Sequence, residues 1–411
     1  MVVAVDDINI DGKTLFVRCD LNVPLQDGRI RSAEKLVRAV KGLKGYATRG
    51  ARLVVASHLG RPQGIDKTLS LRVVAEDLRA RMAPHHVDFV EDCIGSDVRQ
   101  RVDALTEGSM LLLENLRFHR GETMNDKDFA LGLRQASAAD IYVNDAFACV
   151  HRAHASVAAL PRQLPCYAGV LLSEEIQALQ KVLGGDKRPM VAMIGGAKIS
   201  TKVRVLMSLV RKMDAVIIGG AMANTFLAAQ GYALGCSLYE ANQKETVAAI
   251  RQVATQRGCR LIVPVDACVQ DGAGRTHHVA IDAIEPDHKV MDLGPRSVHA
   301  IKDILSQAAT LVWNGPLGAF EIDPFHEATQ EVAAYVRARS DKKKLVSVVG
   351  GGDTLAAVAQ GYKGKKTDKE AETWGFSYAS TGGGAFLEWC EGKILPGIEV
   401  LEDMAQNVKE A

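Results

Sequence analysis

The sequence predicts an α/β protein of two doubly wound parallel-sheet domains of similar size joined by a helical hinge, and three observations carry that expectation. Short apolar, β-branched runs such as "KTLFVRCD", "ARLVVASH", "PMVAMIGG" and "KLVSVVGG" alternate with helical segments such as "LSLRVVAEDLRARM" and "TKVRVLMSLVRKM". That alternation is the mark of βαβ units whose strands are covered on both faces. The chain has 411 residues, 47% of them hydrophobic, and single cores stop growing at about 250–300 residues, so two cores are expected. Between the halves, Pro165 and Gly169 precede a helical pattern that ends at Gly184-Gly185. The expected organisation is a first domain over 1–168, a connecting helix over 169–185 and a second domain over 186–391. No repeat of fixed period is visible.

Composition excludes several classes. Fifty basic against forty-nine acidic residues leave a formal charge of +1, without the broad positive field that drives binding to nucleic acid. The lysine-rich stretches at 341–345 and 362–370 read as solvated loops. Eight scattered cysteines without CxxC pairs suit a reducing cytoplasm. The acidic start "MVVAVDDINIDGK" and the lack of any long apolar run predict neither a signal peptide nor a membrane anchor.

In open α/β sheets, ligands bind beyond the carboxyl ends of the strands, and there the two halves differ in kind. Strand ends of the first half carry "RCDLNVP" with Asp20 and Asn22, "SHLGRP" with His58 and Arg61, "ENLRFHRGE" with Arg117, and "NDAFACVHRAHAS" with His151, Arg152 and His154. Any one of these could be a surface charge or a loop hydrogen bond. Four together read as the site of a small, multiply charged acid, because arginine forks bind carboxylate and phosphate oxygens in pairs. A zinc reading of His151 and His154 is weaker, since no further ligand stands at the usual spacing.

Strand ends of the second half carry glycine instead: "AMIGGAKISTK", "VIIGGAMANTF", "VVGGGDTLAAV" and "YASTGGGAFLE". A lone pair of glycines is often only a tight turn. Repeated before helix starts, they read as a nucleotide mouth, because glycine permits close ligand approach and helix N-termini favour phosphate. Lys198 and Lys202 are expected on one face of a starting helix, reaching the same phosphates. Asp353, directly after Gly350, Gly351 and Gly352, could cap the next helix, but a carboxylate beside phosphates would repel them unless a cation intervened, so Asp353 is expected to hold Mg²⁺. Asn314 and Glu321 follow a further strand in "LVWNGPLGAFE", where Glu321 is either a ribose acceptor or an ordinary surface acid.

These motifs, in this order and over nearly the whole chain, resemble phosphoglycerate kinase: "VRCDLNVP", "SHLGRP", "LLENLRFH", "GGAKISTK", "WNGPLGAFE", "GGGDTLA" and "STGGGAFLE". The resemblance implies reversible phosphoryl transfer between ATP and the carboxylate of 3-phosphoglycerate, giving ADP and 1,3-bisphosphoglycerate, by a usually monomeric, hinge-bending enzyme of glycolysis and gluconeogenesis. It implies that Asp20, Asn22, His58, Arg61, Arg117 and Arg152 hold the acid. It also implies that Lys202, Glu321 and Gly350 to Thr354 hold MgATP, with Gly220, Ala221, Leu238 and Gly294 near the adenosine. The tail, 392–411, would return to the first domain. The chemistry agrees: a carboxylate is already a nucleophile, so no general base is needed, and position and positive charge do the work. Lys198 is the candidate for the moving phosphoryl group and Lys202 for the nucleotide phosphates.

One departure bears on activity. The family's pattern places an arginine, facing both the acid and the moving phosphoryl group, at the start of the first long helix; here "IRSAEKLVRAV" has Lys35, expected to take that substrate-binding and catalytic place, with Arg31 and Arg38 as flanking substitutes. An ammonium keeps the charge and loses the fork. Lesser departures are "ACV" at 148–150, where the family usually reads Gly-Thr-Ala, and a longer polar segment at 362–376, expected to be a surface insertion. Two alternatives follow: a catalytically weakened paralogue that binds these ligands as a regulator, and a nicotinamide-dependent dehydrogenase. The second lacks the G-x-G-x-x-G pattern with its ribose-binding acid.

Overall fold

The computed structural model describes residues 2–184, 187–362 and 373–410. The chain divides into two compact units, Met1–Ile176 with Ile394–Ala411, and Gln177–Lys393.

The first unit is built on a six-stranded sheet in the order Val87–Phe89, Met110–Leu112, Arg52–Ala56, Thr14–Cys19, Ile141–Asp145, Cys166–Ala168. Every pairing is parallel. The central strand Thr14–Cys19 is buried at all positions, as a strand covered on both faces must be. Its alternate residues Leu15 and Val17 join Leu36, Leu43, Leu53 and Val55 in one core, while Phe16 stacks on Tyr142 at 6.0 Å on the other face. Register pairs Cys19 with Asp145 and Arg18 with Ala56, so the loops after these strands leave the same edge. A hairpin of Leu25–Gln26 and Arg29–Ile30 turns through Asp27 (φ 51°) and Gly28 (φ 72°), the two left-handed positions of a type I′ turn. It delivers the chain to the helix Glu34–Thr48, which carries Lys35. The segment from Ile394 onward packs in this unit: Gly397 N donates to Val150 O at 2.9 Å, and a Cβ on Gly397 would lie 2.7 Å from Val157.

The second unit has its own parallel sheet, in the order Arg260–Ile262, Ala215–Ile218, Met190–Ile194, Thr310–Asn314, Val346–Gly350, Tyr378–Ser380. It also has a three-stranded antiparallel sheet with Asp266–Gln270 between Thr276–Ala280 and Lys289–Leu293. The apolar run "RLIVPVD" therefore feeds two sheets. Pro264, which has no N–H to donate, stands where the chain leaves the first sheet before Asp266 begins the second.

The helix Val170–Leu183 spans the division, which falls between Ile176 and Gln177. Its first turn is held by Asp145, whose Oδ1 accepts from Leu171 N (2.8 Å) and Leu172 N (3.1 Å). Asp341 to Lys344 are exposed, in keeping with a solvated loop. The expected surface insertion at 362–376 lies largely in 363–372, outside the described residues.

Candidate active site

Asp20, Asn22, Lys35, His58, Arg61, Arg117 and Arg152 line one cavity of about 200 Å³ at the carboxyl edge of the first unit's sheet. All seven residues that the sequence reading expected to hold the acid are thus brought together in one cavity. Lys35 Nζ lies 2.6 Å from Asp20 Oδ2, and both groups are largely shielded. Neither exposed Arg31 nor buried Arg38 lines the cavity, so the charge at this helix start is Lys35's own. Asn22 Oδ1 accepts from Gly60 N at 2.9 Å, and Arg117 Nη1 donates to Gly60 O at 2.5 Å. Lys35, Arg61, Arg117 and Arg152 set four cations against one carboxylate.

Behind this wall lies a buried network that the sequence reading did not resolve. Arg18, with its strand buried on both sides, donates from Nε to Ser156 Oγ (2.9 Å) and from Nη2 to His58 Nδ1 (3.2 Å). Since a guanidinium only donates, His58 Nδ1 accepts, and this assigns the ring's proton to Nε2. Burial first, and Arg18 second, push His58 well below its usual pKa, so it presents a neutral ring. Fully buried Glu122 accepts from Ser156 N (2.9 Å) and Oγ (2.6 Å) and lies 3.6 Å from His154 Nδ1. Burial opposes its ionisation, but His154, Arg18 and Ser156 together hold its pKa down. The available signal was an arginine inside an apolar central strand, which must find a partner when buried. His151 accepts at Nε2 from Arg152 Nε at 3.0 Å, so the two histidines of "HRAH" serve Arg152 and Glu122 rather than a zinc ion. Cys149, in the divergent "ACV" stretch, also lines the cavity, and burial pushes its thiol up.

The second unit has a cavity of about 340 Å³ whose walls include Leu227, Leu238, Val290, Met291 and Phe320, with Gly220 and Ala221 at one side and Glu321 and Asp353 at its rim. Its apolar floor comes partly from the antiparallel sheet. Gly220 (φ 64°) stands where a Cβ would lie 2.8 Å from Gly196 N and O, so the two glycine turns pack backbone to backbone. Gly294 backs the wall, where a Cβ would meet the Asp266 carboxylate.

Beneath the rim, Lys202 Nζ donates to Gly195 O (2.7 Å) and Asn314 Oδ1 (2.8 Å). Asn314 Nδ2 in turn donates to Gly350 O (2.7 Å), and Thr354 Oγ1 accepts from Gly315 N and donates to Gly350 O. Asn314 and Thr354 therefore lock the glycine loop and steer Lys202. Burial lowers the Lys202 pKa to about 8, against the opposing pull of Asp353.

One expectation is corrected and one alternative is set aside. Lys198 and Lys202 do not share a helical face: the helix is Val203–Lys212, Lys202 is its N-cap residue, and Lys198 is exposed in the preceding turn, outside the cavity lining. Its start is delayed because Lys202 N is taken by Ile199 O at 2.8 Å. Asp353 is not a cap, because the N-cap of Gly352–Gln360 is Gly351 at φ 101°, a left-handed value that glycine tolerates. Asp353 instead projects, exposed, from the first helical turn. A Cβ on Gly352 would meet nothing within 4 Å, so open space lies before that helix start.

A family model described as phosphoglycerate kinase matches residues 5–393. The chain belongs to the phosphoglycerate kinase family. It is 46% identical over 402 residues to the phosphoglycerate kinase of Chelativorans sp. (strain BNC1), covering 97% of this chain and 98% of that protein. The phosphoglycerate kinase of Rhizobium meliloti (strain 1021) is 47% identical, with 96% and 98% covered. Among solved structures, phosphoglycerate kinase from Coxiella burnetii superposes with a TM-score of 0.85 at 37% identity, covering 98% of this chain and 99% of that one. The enzyme from Pyrococcus horikoshii OT3 gives 0.81 at 29% identity, with the same coverage. Membership of a phosphotransferase family favours catalysis over the regulatory reading, and it removes the dehydrogenase.

Proposed function

We propose that the protein transfers the γ-phosphoryl group of MgATP reversibly to the carboxylate of 3-phosphoglycerate, giving ADP and 1,3-bisphosphoglycerate, in glycolysis and gluconeogenesis. The observation that carries this reading is the contrast of two cavities: four cations with one carboxylate in the first unit, and an apolar slot rimmed by Gly220, Glu321 and Asp353 in the second. A phosphate and a carboxylate on one small molecule match the first. A purine with its ribose and phosphates matches the second.

In the forward direction a carboxylate oxygen bonds to the γ-phosphorus as the bond from phosphorus to the β,γ-bridging oxygen breaks, and ADP leaves. No proton moves, so catalysis rests on placement and on neutralising charge. Arg61, Arg117, Arg152 and neutral His58 would orient the acid, with Asp20 and Asn22 available to its hydroxyl. Lys35, steered by Asp20, would face the acid's reacting end. Lys202 would take nucleotide phosphate oxygens, Glu321 the ribose, and exposed Lys198 the group in transit. The donor set fits Mg²⁺: one exposed carboxylate, Asp353, stands on the helix turn before which Gly352 leaves room, and Mg²⁺ is commonly held by one or two carboxylates together with substrate phosphates. Asp353 would hold that ion, which would supply positive charge against the phosphate oxygens when bound.

Transfer requires the two ligands to meet with water excluded. We place the closing motion at the helix Val170–Leu183, and the tail after residue 392 with the first domain. A monomeric cytoplasmic enzyme without nucleic-acid or membrane partners is consistent with the near-zero net charge. Among the described residues no helix is long and apolar enough to cross a membrane. The site assignment is tested by kinetics: Arg117→Ala is expected to raise KM for the acid and spare KM for MgATP, and Lys202→Ala the reverse, each losing at least about a hundredfold in kcat/KM. Equal effects on both substrates, or none, would defeat it.

A further inference from the structure

We propose that Asp92, Cys93 and His119 form a transition-metal site in the first unit, apart from the acid-binding cavity, suited to Zn²⁺. A carboxylate oxygen of Asp92, Sγ of Cys93 and a ring nitrogen of His119 all lie within 4.8 Å of one another. The three residues line a separate cavity of about 690 Å³. They come from two loops at the carboxyl edge of the sheet, after Val87–Phe89 and after Leu116–Phe118.

The donors are already held. His119 stacks on Phe129 at 4.9 Å between centroids, with Nε2 2.7 Å from Asp92 Oδ1. Asp92 Oδ1 also accepts from Cys93 N at 2.6 Å, which fixes the carboxylate over its own loop. Cys93 is buried and points its thiol at Glu114 O, 3.0 Å away. Sulfur, imidazole nitrogen and carboxylate oxygen form the mixed set that suits zinc, whereas Mg²⁺ and Ca²⁺ prefer oxygen alone. Three protein ligands leave a fourth tetrahedral position for water, and Asp92, exposed, gives the ion a path in. On binding, the thiol proton leaves to solvent, the bond to Glu114 O is given up, and a thiolate and a carboxylate balance the charge of the ion.

The other described cluster of metal-ligand type, Glu285, Asp287 and His288, is a poorer candidate: it has no sulfur, and His288 Nδ1 is taken by Glu285 N at 3.1 Å. The proposed site also connects to the acid-binding cavity. His119 lies two residues beyond Arg117, whose N donates to Asn115 Oδ1 at 3.1 Å, so an ion there would pin the segment that carries Arg117.

The test uses the full-length protein after chelator treatment, titrated with Zn²⁺ by calorimetry and with Co²⁺ by absorption. One equivalent is expected to bind, with a thiolate-to-cobalt charge-transfer band. Cys93→Ser should abolish that band, and His119→Gln should weaken Zn²⁺ affinity at least about tenfold. His119 is only half-buried, so its variant decides the matter even where Cys93→Ser fails to fold. Absence of stoichiometric binding, or undiminished affinity in His119→Gln, would overturn the proposal. A band that survives in Cys93→Ser would also overturn it, placing the ion on another thiol such as exposed Cys236.

Discussion

Nucleotide binding at Lys202 is expected to draw a proton from solvent. The ammonium sits between Gly195 O and Asn314 Oδ1, and burial lowers its pKa to about 8 from 10.5. That difference corresponds to about 3 kcal/mol by which the folded chain disfavours the charged form. A phosphate oxygen beside Nζ favours the charged form again. If binding raises the pKa by about one unit or more, occupancy at pH about 8 rises from about one half to about nine tenths, an uptake of ~0.4 proton per nucleotide. At pH about 6.5 the group is already charged in both states and the uptake falls below ~0.05. Calorimetric titration with MgATP in two buffers of different ionisation enthalpy reads the proton count directly. Lys202→Met should bind more weakly and take up none. Identical heats in both buffers at pH about 8, or an unchanged uptake in Lys202→Met, would refute the placement of Lys202 against the phosphates.

Other consequences can be checked separately. Lys35→Arg restores a planar fork beside Asp20 and should raise kcat/KM for the acid about two- to tenfold; a fall would show that the ammonium is tuned to this site. Gly352→Ala meets no neighbour within 4 Å, so it should leave the melting temperature nearly unchanged while raising KM for MgATP about tenfold. Gly351→Ala, at φ 101° with its Cβ 2.7 Å from Asn314 Nδ2, should cost about 1–3 kcal/mol of stability; a reversed order of melting temperatures would count against the loop's assigned roles. Burial raises the Asp145 pKa to about 7 from 3.8, against the amides of Leu172 and Leu171. The native state therefore holds a proton that the unfolded chain releases, and the resulting stability, full below about pH 4, is lost as pH rises to about 7. Asp145→Asn mimics the protonated acid, so from pH about 5 to 8 it should gain up to about 3 kcal/mol on the natural protein in urea unfolding; a pH-independent difference between the two would sink this account.

The inner strands of the parallel sheets were legible because they are short, largely apolar runs ending in glycine or a charged turn, whereas the edge strands Val87–Phe89 and Cys166–Ala168 are three residues each, the first interrupted by Asp88, and left no such run to read. The antiparallel sheet was not, since "DACVQ" and "THHVA" are short and mixed, and Pro264 joins the first to an apolar run that belongs elsewhere. Most residues lining the first unit's cavity were legible as recurring basic and polar groups at strand ends. Glu122 was not, because "HRGETMND" reads as a surface turn and only the fold brings Ser156 and His154 to that carboxylate. The spacing of Lys198 and Lys202 suggested one helical face, but the hydrogen bond from Lys202 N to Ile199 O holds the preceding turn out of the helix. A capping role for Asp353 was the alternative to magnesium, and it is set aside by the left-handed Gly351, which takes the capping position itself.

The central claim is that these two cavities support phosphoryl transfer to a carboxylate. The most direct measurement is the steady-state rate with 3-phosphoglycerate and MgATP, with the acyl phosphate consumed by a coupled reduction. Turnover by the natural protein is predicted, saturable in both substrates and lost in Lys202→Ala. Binding of both ligands without turnover would contradict the account and would mean that Lys35 leaves a protein that recognises the substrates but does not join them.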